Sequence, residues 1–455
     1  MTRDAQDLPL SGAAPETRAA IDRFVAEALS YGADLPCILP AVEAEPDCVM
    51  AQILAASLMM WAERGDSPAL AAPHLTAAEA LADRANDRER LWLTATRAWV
   101  DGDLERAIAA LDRVTDRWPQ DLFAMKLQQY HLFNLGRFEA MLAASAKLLP
   151  VQPENGYLLG SHAFPLELMG RLREAEEYGR RAVALERSDA WAHHAVAHVM
   201  EAEGRIDEGI AWMRAHADTW NRCNSFMLGH NWWHVALFHL DRDEPAEALA
   251  IHDAHVWGLD KSYSQDQASA ASLLWRLELR GADVGERWRD VAHHVAERGI
   301  EHVQPFLDLH YVYALARGGE EALAERLCED IAAFAEHAPV AAREAWGRVA
   351  LPAARGVLAA ARGRPAEAFE GLSAARDRLV EIGGSHAQRD LFEQAWLDAG
   401  LKAGAFGAVL PALEARAAAR ERVADPYRQL HRAYVGLGRE GAAARAAERV
   451  KELSS

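Results

Sequence analysis

The chain has 455 residues, with 68 acidic against 49 basic side chains and a formal net charge of −19. Its 51% apolar content, rich in Ala, Leu, Glu and Arg, excludes a disordered chain and suits an all-helical globular protein. No stretch of about 20 uncharged apolar residues is present, so no membrane span is expected, and the acid excess argues against nucleic acid, whose phosphates call for basic surface.

Four cysteines (Cys37, Cys48, Cys223, Cys328) without a CxxC pair do not form a disulfide framework. The N-terminus, MTRDAQDLPLSGAAPET, carries acids and a proline where a signal peptide has a basic start and an apolar run. Reduced thiols and a cytoplasmic location are therefore expected.

In chain order, weak turn signals at Tyr31–Gly32 and Gly65 come first. Then Gly102, Gly136, Gly170 and Gly204 follow one another at intervals of 34 residues, in the stretches GDLERAI, GRFEAML, GRLREAE and GRIDEGI. An apolar residue stands two after each glycine (Leu104, Phe138, Leu172, Ile206) and a small or apolar one five after (Ala107, Met141, Ala175, Gly209). Pro119 and Pro153 close the first two units. This is the tetratricopeptide pattern: two amphipathic helices joined at a tight glycine turn, each pair leaving an apolar face for its neighbour. The leucines Leu132, Leu135, Leu142, Leu148 and Leu149 read as core. DEPAEAL at Asp243 continues the series with Asp in place of Gly, and turns at Gly318–Gly319, Gly363, Gly404 and Gly438 extend it. Residues 257–266 are the longest irregular candidate. The expected fold is an all-α tetratricopeptide-repeat α-solenoid, a superhelix of antiparallel helix pairs with curvature or closure around a cavity left open. It is expected as one unit over residues 1–455, with the clearest repeats at 88–256 and degenerate ones at 1–87 and 257–455.

Nineteen histidines cluster in mid-chain, in WAHHAVAHVMEAEG and GHNWWHVALFHLD. His194 and His198 are four apart, as are His230 and His234, so each pair shares a helical face. Both helices should be the first of their repeats. Neutral imidazole can ligate metal, but neither string has the Glu of the zincin motif, and no metal is expected. The alternatives are a hydrogen-bonded structural pair and acid–base or ligand-holding groups. Asn231 and the Trp232–Trp233 pair sharpen the second, since adjacent side chains point about 100° apart and Trp233 can wall a pocket. Asp308 and His310 in HVQPFLDLHYVYAL, and Asp266 ahead of ASAASLLWRLEL, are polar groups in apolar helical contexts. In GGSHAQRDLF, Ser385 can cap a helix whose first turn suits an anion, with Gln388, Arg389 and Asp390 beside it. The plain alternative is a capped helix with structural ion pairs. No GxSxG, Walker or GxGxxG motif occurs.

At these strings the chain resembles the tetratricopeptide repeat protein 38 family. The matching stretches include DLFAMKLQQYHLFNLG from Asp121, DAWAHHAVAHVMEAEGR from Asp189, GHNWWHVALFHLDRDEPAEALAIHDAHV from Gly229, HVQPFLDLHYVYAL from His302 and GGSHAQRDLF from Gly383. In tetratricopeptide proteins the repeat positions held by His194, His198 and His230 line the concave groove, and that likeness implies the same place for these rings. The family pattern maps onto Lys126, His194, His198, His230, Asn231, His234, Asp253, His255, Asp266, Asp308, His310, Gln388, Arg389 and Asp390. His386 falls where relatives carry Asn and is discounted. No activity or cofactor follows from the resemblance.

Two main function classes remain, and whether the protein is an enzyme stays open. One is a scaffold receiving a peptide or protein in its groove. The other is a pocket for a small polar or anionic ligand. Here His194, His198, His230, His234 and Asp308 are the candidate acid–base groups. Lys126, Asn231, Trp233, Asp266, His310, Gln388, Arg389 and Asp390 are the candidate ligand-binding groups. The lining favours the pocket, because a carboxylate-clamping peptide groove needs several Lys and Arg. A metal-dependent enzyme using the HxxxH pairs is a further alternative.

Overall fold

A computed structural model describes residues 2–339 and 342–454. Among the described residues the structure is built of α-helices, and the only sheet is a ribbon pairing Thr2–Arg3 with Pro9–Leu10. The expected all-α architecture of antiparallel helix pairs is what forms. The chain divides into two compact units: Met1–Val196 with Thr219–Met227, and Ala197–Asp218 with Leu228–Ser455.

The repeat turns are where the glycines predict them. Gly102, Gly136, Gly170 and Gly204 have φ of 75°, 68°, 73° and 65°, the left-handed region that glycine enters without a Cβ clash. Asp243 takes the same conformation, φ 66°, as Asp tolerates better than most side chains. Each turn joins a first helix to a second, for example Asp87–Val100 to Leu104–Arg117, and Leu122–Asn134 to Phe138–Ala146. The small residue five after the glycine lets helices close up: a Cβ on Gly209 would overlap the Phe238 ring.

A second periodic signal sets where the first helices begin. Asn86, Asp121, Asn155, Asp189 and Asn224 recur at intervals of 35, 34, 34 and 35 residues. Each side chain accepts a backbone N–H three residues on, from Glu89, Ala124, Leu158, Ala192 and Met227 respectively. Such a cap satisfies one of the orphan donors of a helix start.

In the first unit the core is aromatic and aliphatic. Phe123 stacks on Trp92 and meets Phe24 edge-on. Of the five leucines read as core, Leu132 and Leu148 are buried, while Leu135, Leu142 and Leu149 are half-buried; Leu135 and Leu149 lie just outside the helices Leu122–Asn134 and Phe138–Ala146. The N-terminal ribbon tucks Leu8 and Leu10 inside. In the second unit the helices are less regular. A π-type turn, His252–Val256, follows Pro245–Ile251, and a second, Ala345–Ala350, precedes Leu351–Ala361. The irregular stretch is shorter than expected: the helix Ser264–Leu279 already contains Asp266.

Candidate functional site

Five helices of the second unit supply its polar interior. They are the end of Ala190–Ala202, then Ser225–Asp241, Ser264–Leu279, Pro305–Gly318 and His386–Lys402. One turn of Ser225–Asp241 separates His230 from His234, and their rings meet edge-on at 4.9 Å. His234 lies 4.6 Å from His198, and His198 meets His386 edge-on at 5.4 Å. Four imidazoles thus form a row. His234 Nδ1 is 3.2 Å from Glu201 Oε2, a contact that fixes the ring's orientation. Burial, reinforced by the other imidazoles, holds His234 far below its ordinary range. Burial, with a smaller push from His198, lowers His230 to about 3. Both are neutral imidazoles at pH 7, able to donate on one nitrogen and accept on the other.

Trp233 lies parallel to His230 at 5.2 Å, with the Arg276 guanidinium 5.1 Å above its ring. Trp233 is buried, whereas Trp232 is half-buried and stacks on His255 at 4.0 Å, so the adjacent tryptophans do point different ways. Asn231 is fully buried. Arg276 donates to Ser272 and to the carbonyls of Ala387 and Gln388. Among the described residues no carboxylate reaches it within ion-pair distance. Burial lowers its guanidinium to about 10. Its nearby counter-charges are Asp390 and Glu201, which act on it without direct ion-pair contact, so its hydrogen bonds go to neutral acceptors only.

The row of imidazoles ends at a cleft of about 330 Å³, lined among others by Glu201, His386, Arg389, Asp390, Glu393 and Arg420. Most of the acids here already have partners. Asp390 is forked by Arg416, Glu393 by Arg376, and Glu201 is met by Arg420 at 3.4 Å. Nearby Asp241 is shared by Arg280 and Arg420.

The other sequence candidates take several roles. Gln388 and Ser385 form a reciprocal capping box, so this amide belongs to the helix start. Arg389 donates to the Gly383 and Gly384 carbonyls. Asp308 turns to His302, 2.6 Å away, with burial raising its carboxyl. His310 Nδ1 is 2.7 Å from the Phe306 carbonyl, and burial lowers the ring to about 4. Asp266 is buried in the first turn of its helix. His194 and Lys126 belong to the first unit. There His194 stacks on Trp191 at 4.6 Å and touches Phe164, while Lys126 donates to the Leu29 carbonyl.

Sequence reasoning overlooked Arg276, Arg416, Arg420, Glu201 and Asp241, and discounted His386, which lines the cleft. A signal existed for Arg276: it stands alone as a cation in the apolar run SAASLLWRLEL. Among the described residues no helix is long and apolar enough to cross a membrane. The exclusion of nucleic acid is not retained, because net charge averages over a surface and does not describe a local cleft.

No family model matches the chain. Solved structures of similar helical build include a human IFIT1 dimer with m7Gppp-AAAA, at 14% identity and a TM-score of 0.44, covering 100% of this chain and 96% of that one. The P58(IPK) TPR domain matches at 14% identity and a TM-score of 0.23, over 78% of this chain and 99% of its own. Naa15/Naa10 bound to HypK-THB matches at 12% identity and a TM-score of 0.25, over 81% of this chain and 64% of that one.

Proposed function

We propose that this helical-repeat protein holds a small polar anion in the cleft of its second unit, with the neutral imidazoles beside it available for proton transfer. The observation that carries the reading is Arg276: a buried guanidinium without a carboxylate partner, bonded to the same helix turn that forms the cleft wall. Arg389, Arg420 and His386 add donors at the wall. A cleft of about 330 Å³ is at the lower end of metabolite sites. The strings that resemble the tetratricopeptide repeat protein 38 family, DAWAHHAVAHVMEAEGR, GHNWWH and GGSHAQRDLF, together supply the row of imidazoles and that wall. We therefore propose membership of that family, with this cleft as its shared feature.

The test is a thermal-shift titration of the full chain with inorganic phosphate, succinate and citrate. At least one should stabilise the wild type, and the gain should vanish in Arg389→Gln and in His386→Ala while helical circular dichroism is unchanged. Stabilisation that survives both substitutions, or no response to any anion, sinks the reading. Stoichiometric transition metal that survives dialysis and is lost in His234→Ala would instead support a metal-dependent enzyme.

A further inference from the structure

The cleft of the second unit is lined by carboxylates as well as by guanidiniums, and the carboxylates are not held alike. Glu393 is forked by Arg376 at 2.8 and 2.7 Å. Asp390 is forked by Arg416, one arm at 2.9 Å, and takes the Gln394 amide at 2.6 Å. These are ordinary lengths for hydrogen bonds to a charged oxygen. Glu201 is different. It is only 6% exposed, yet its carboxylate meets Arg420 at 3.4 Å and His234 Nδ1 at 3.2 Å, and the neutral imidazole brings no charge.

Arg420 is held as loosely. Its contacts run to both oxygens of Asp241, at 3.4 and 3.1 Å, and to the carbonyl and carboxylate of Glu201, each at 3.4 Å. An ion pair that serves the fold alone closes to a short fork, as Asp390 and Glu393 do beside it. Glu201 also stands in the last turn of Ala190–Ala202, where the partial negative charge of a helix end disfavours an acid and favours a cation. An acid and a guanidinium in the lining of one cleft are thus both short of a close partner, and buried charge without close partners is costly.

We propose that the cleft takes an α-amino acid, its ammonium on Glu201 and its carboxylate on Arg420. The inference rests on the anion reading of this cleft and names the chemistry of that anion. An α-amino acid carries its two charges on neighbouring carbons, which suits an acid and a guanidinium 3.4 Å apart. On binding, the ligand carboxylate becomes the close acceptor of Arg420 and the ligand ammonium the close donor to Glu201, and the net charge of the site is unchanged. Arg389 and His386, also in the lining, are further donors to the carboxylate, while Ala202, Leu379 and Ala387 offer apolar surface to an aliphatic side chain. A polyanion fares worse, since it meets three carboxylates and brings no cation for Glu201.

The experiment is isothermal titration of the full chain at pH 7 with L-norvaline, with pentanoate, which lacks the amine, and with 5-aminopentanoate, which carries it at the far end. Norvaline should bind at least about 10-fold more tightly than either. Glu201→Gln should erase that lead and leave the affinity for pentanoate in place. If norvaline binds no more tightly than pentanoate while pentanoate or phosphate binds, the inference falls and the anion reading stands. If these probes and phosphate, succinate and citrate all fail to bind, both fall. 5-Aminopentanoate matching norvaline overturns the pairing of adjacent charges, and a lead that survives in Glu201→Gln overturns the assignment to Glu201. The comparison of probes on the wild type decides the ligand class even where circular dichroism shows that variant unfolded.

Discussion

The two units bury charge in opposite ways. In the first, Arg88 is held by Asp121 at 2.8 Å and faces Asp4 at 3.6 Å, and the same Asp121 caps a helix and takes the Trp92 indole N–H. Here the repeat frame brings donors and acceptor together, so that one carboxylate serves a buried guanidinium, an indole and a helix start. In the second unit the spacing slips, with 39 residues from Gly204 to Asp243, and π-type turns interrupt the pairs. Its buried arginines are shared unevenly: Asp241 serves two, while Arg276 has no carboxylate partner. Exact repetition favours stability, and departure from it leaves polar groups with capacity for something else.

The sharpest way to break this comparison is at Asp121. Asp121→Ala leaves Arg88 and the Trp92 N–H buried without an acceptor and removes a cap, and should cost about 4 kcal/mol in urea unfolding. Asp121→Asn keeps the cap and should cost about 2 kcal/mol. Equal losses would mean that the cap, and not the buried pair, matters.

In the second unit, Asp241→Ala strips two nearly buried arginines of a shared carboxylate. A loss of about 3 kcal/mol is expected. A loss below that of Asp121→Asn would show that these arginines find other acceptors and that the network is not strained by sharing.

Acid should act on both units. His131 and His230 are each lowered by burial to about 3 from an ordinary 6.5. The unfolded chain therefore binds protons that the folded chain refuses. Their contribution is complete above the ordinary value and is lost as pH falls below it, down to the folded value. At pH 5 each should cost about 2 kcal/mol relative to pH 7. His131→Gln and His230→Gln should each flatten the fall in urea stability between those two pH values, and an unchanged slope would refute the assignment.

Smaller effects sit in the helix contacts. Gly209→Ala forces a methyl into the Phe238 ring and should cost about 2 kcal/mol. A methyl on Gly407, near the start of Phe406–Ala419, would meet nothing within 4 Å. Gly407→Ala should raise stability by about 0.5 kcal/mol through helix propensity. Similar melting shifts for the two would deny that backbone approach dictates the glycine at 209.

What the chain determined by itself is everything that depends on local periodicity. Helix pairs, the four glycine turns and the caps from Asn86 to Asn224 all follow from spacing, because turn conformation and capping are decided within a few residues. The side-by-side rings of His230 and His234 follow from helical pitch for the same reason. Tertiary structure decided which polar residues face one another. His386 joins His198 across about 190 positions of sequence, Arg276 reaches the Ala387 carbonyl, and Asp308 chooses His302 over the row of imidazoles. Those choices depend on how far each degenerate repeat slips, which no local pattern encodes. Burial then sets the charge states, since the same imidazole that titrates near neutrality in water is held neutral once its surroundings exclude solvent.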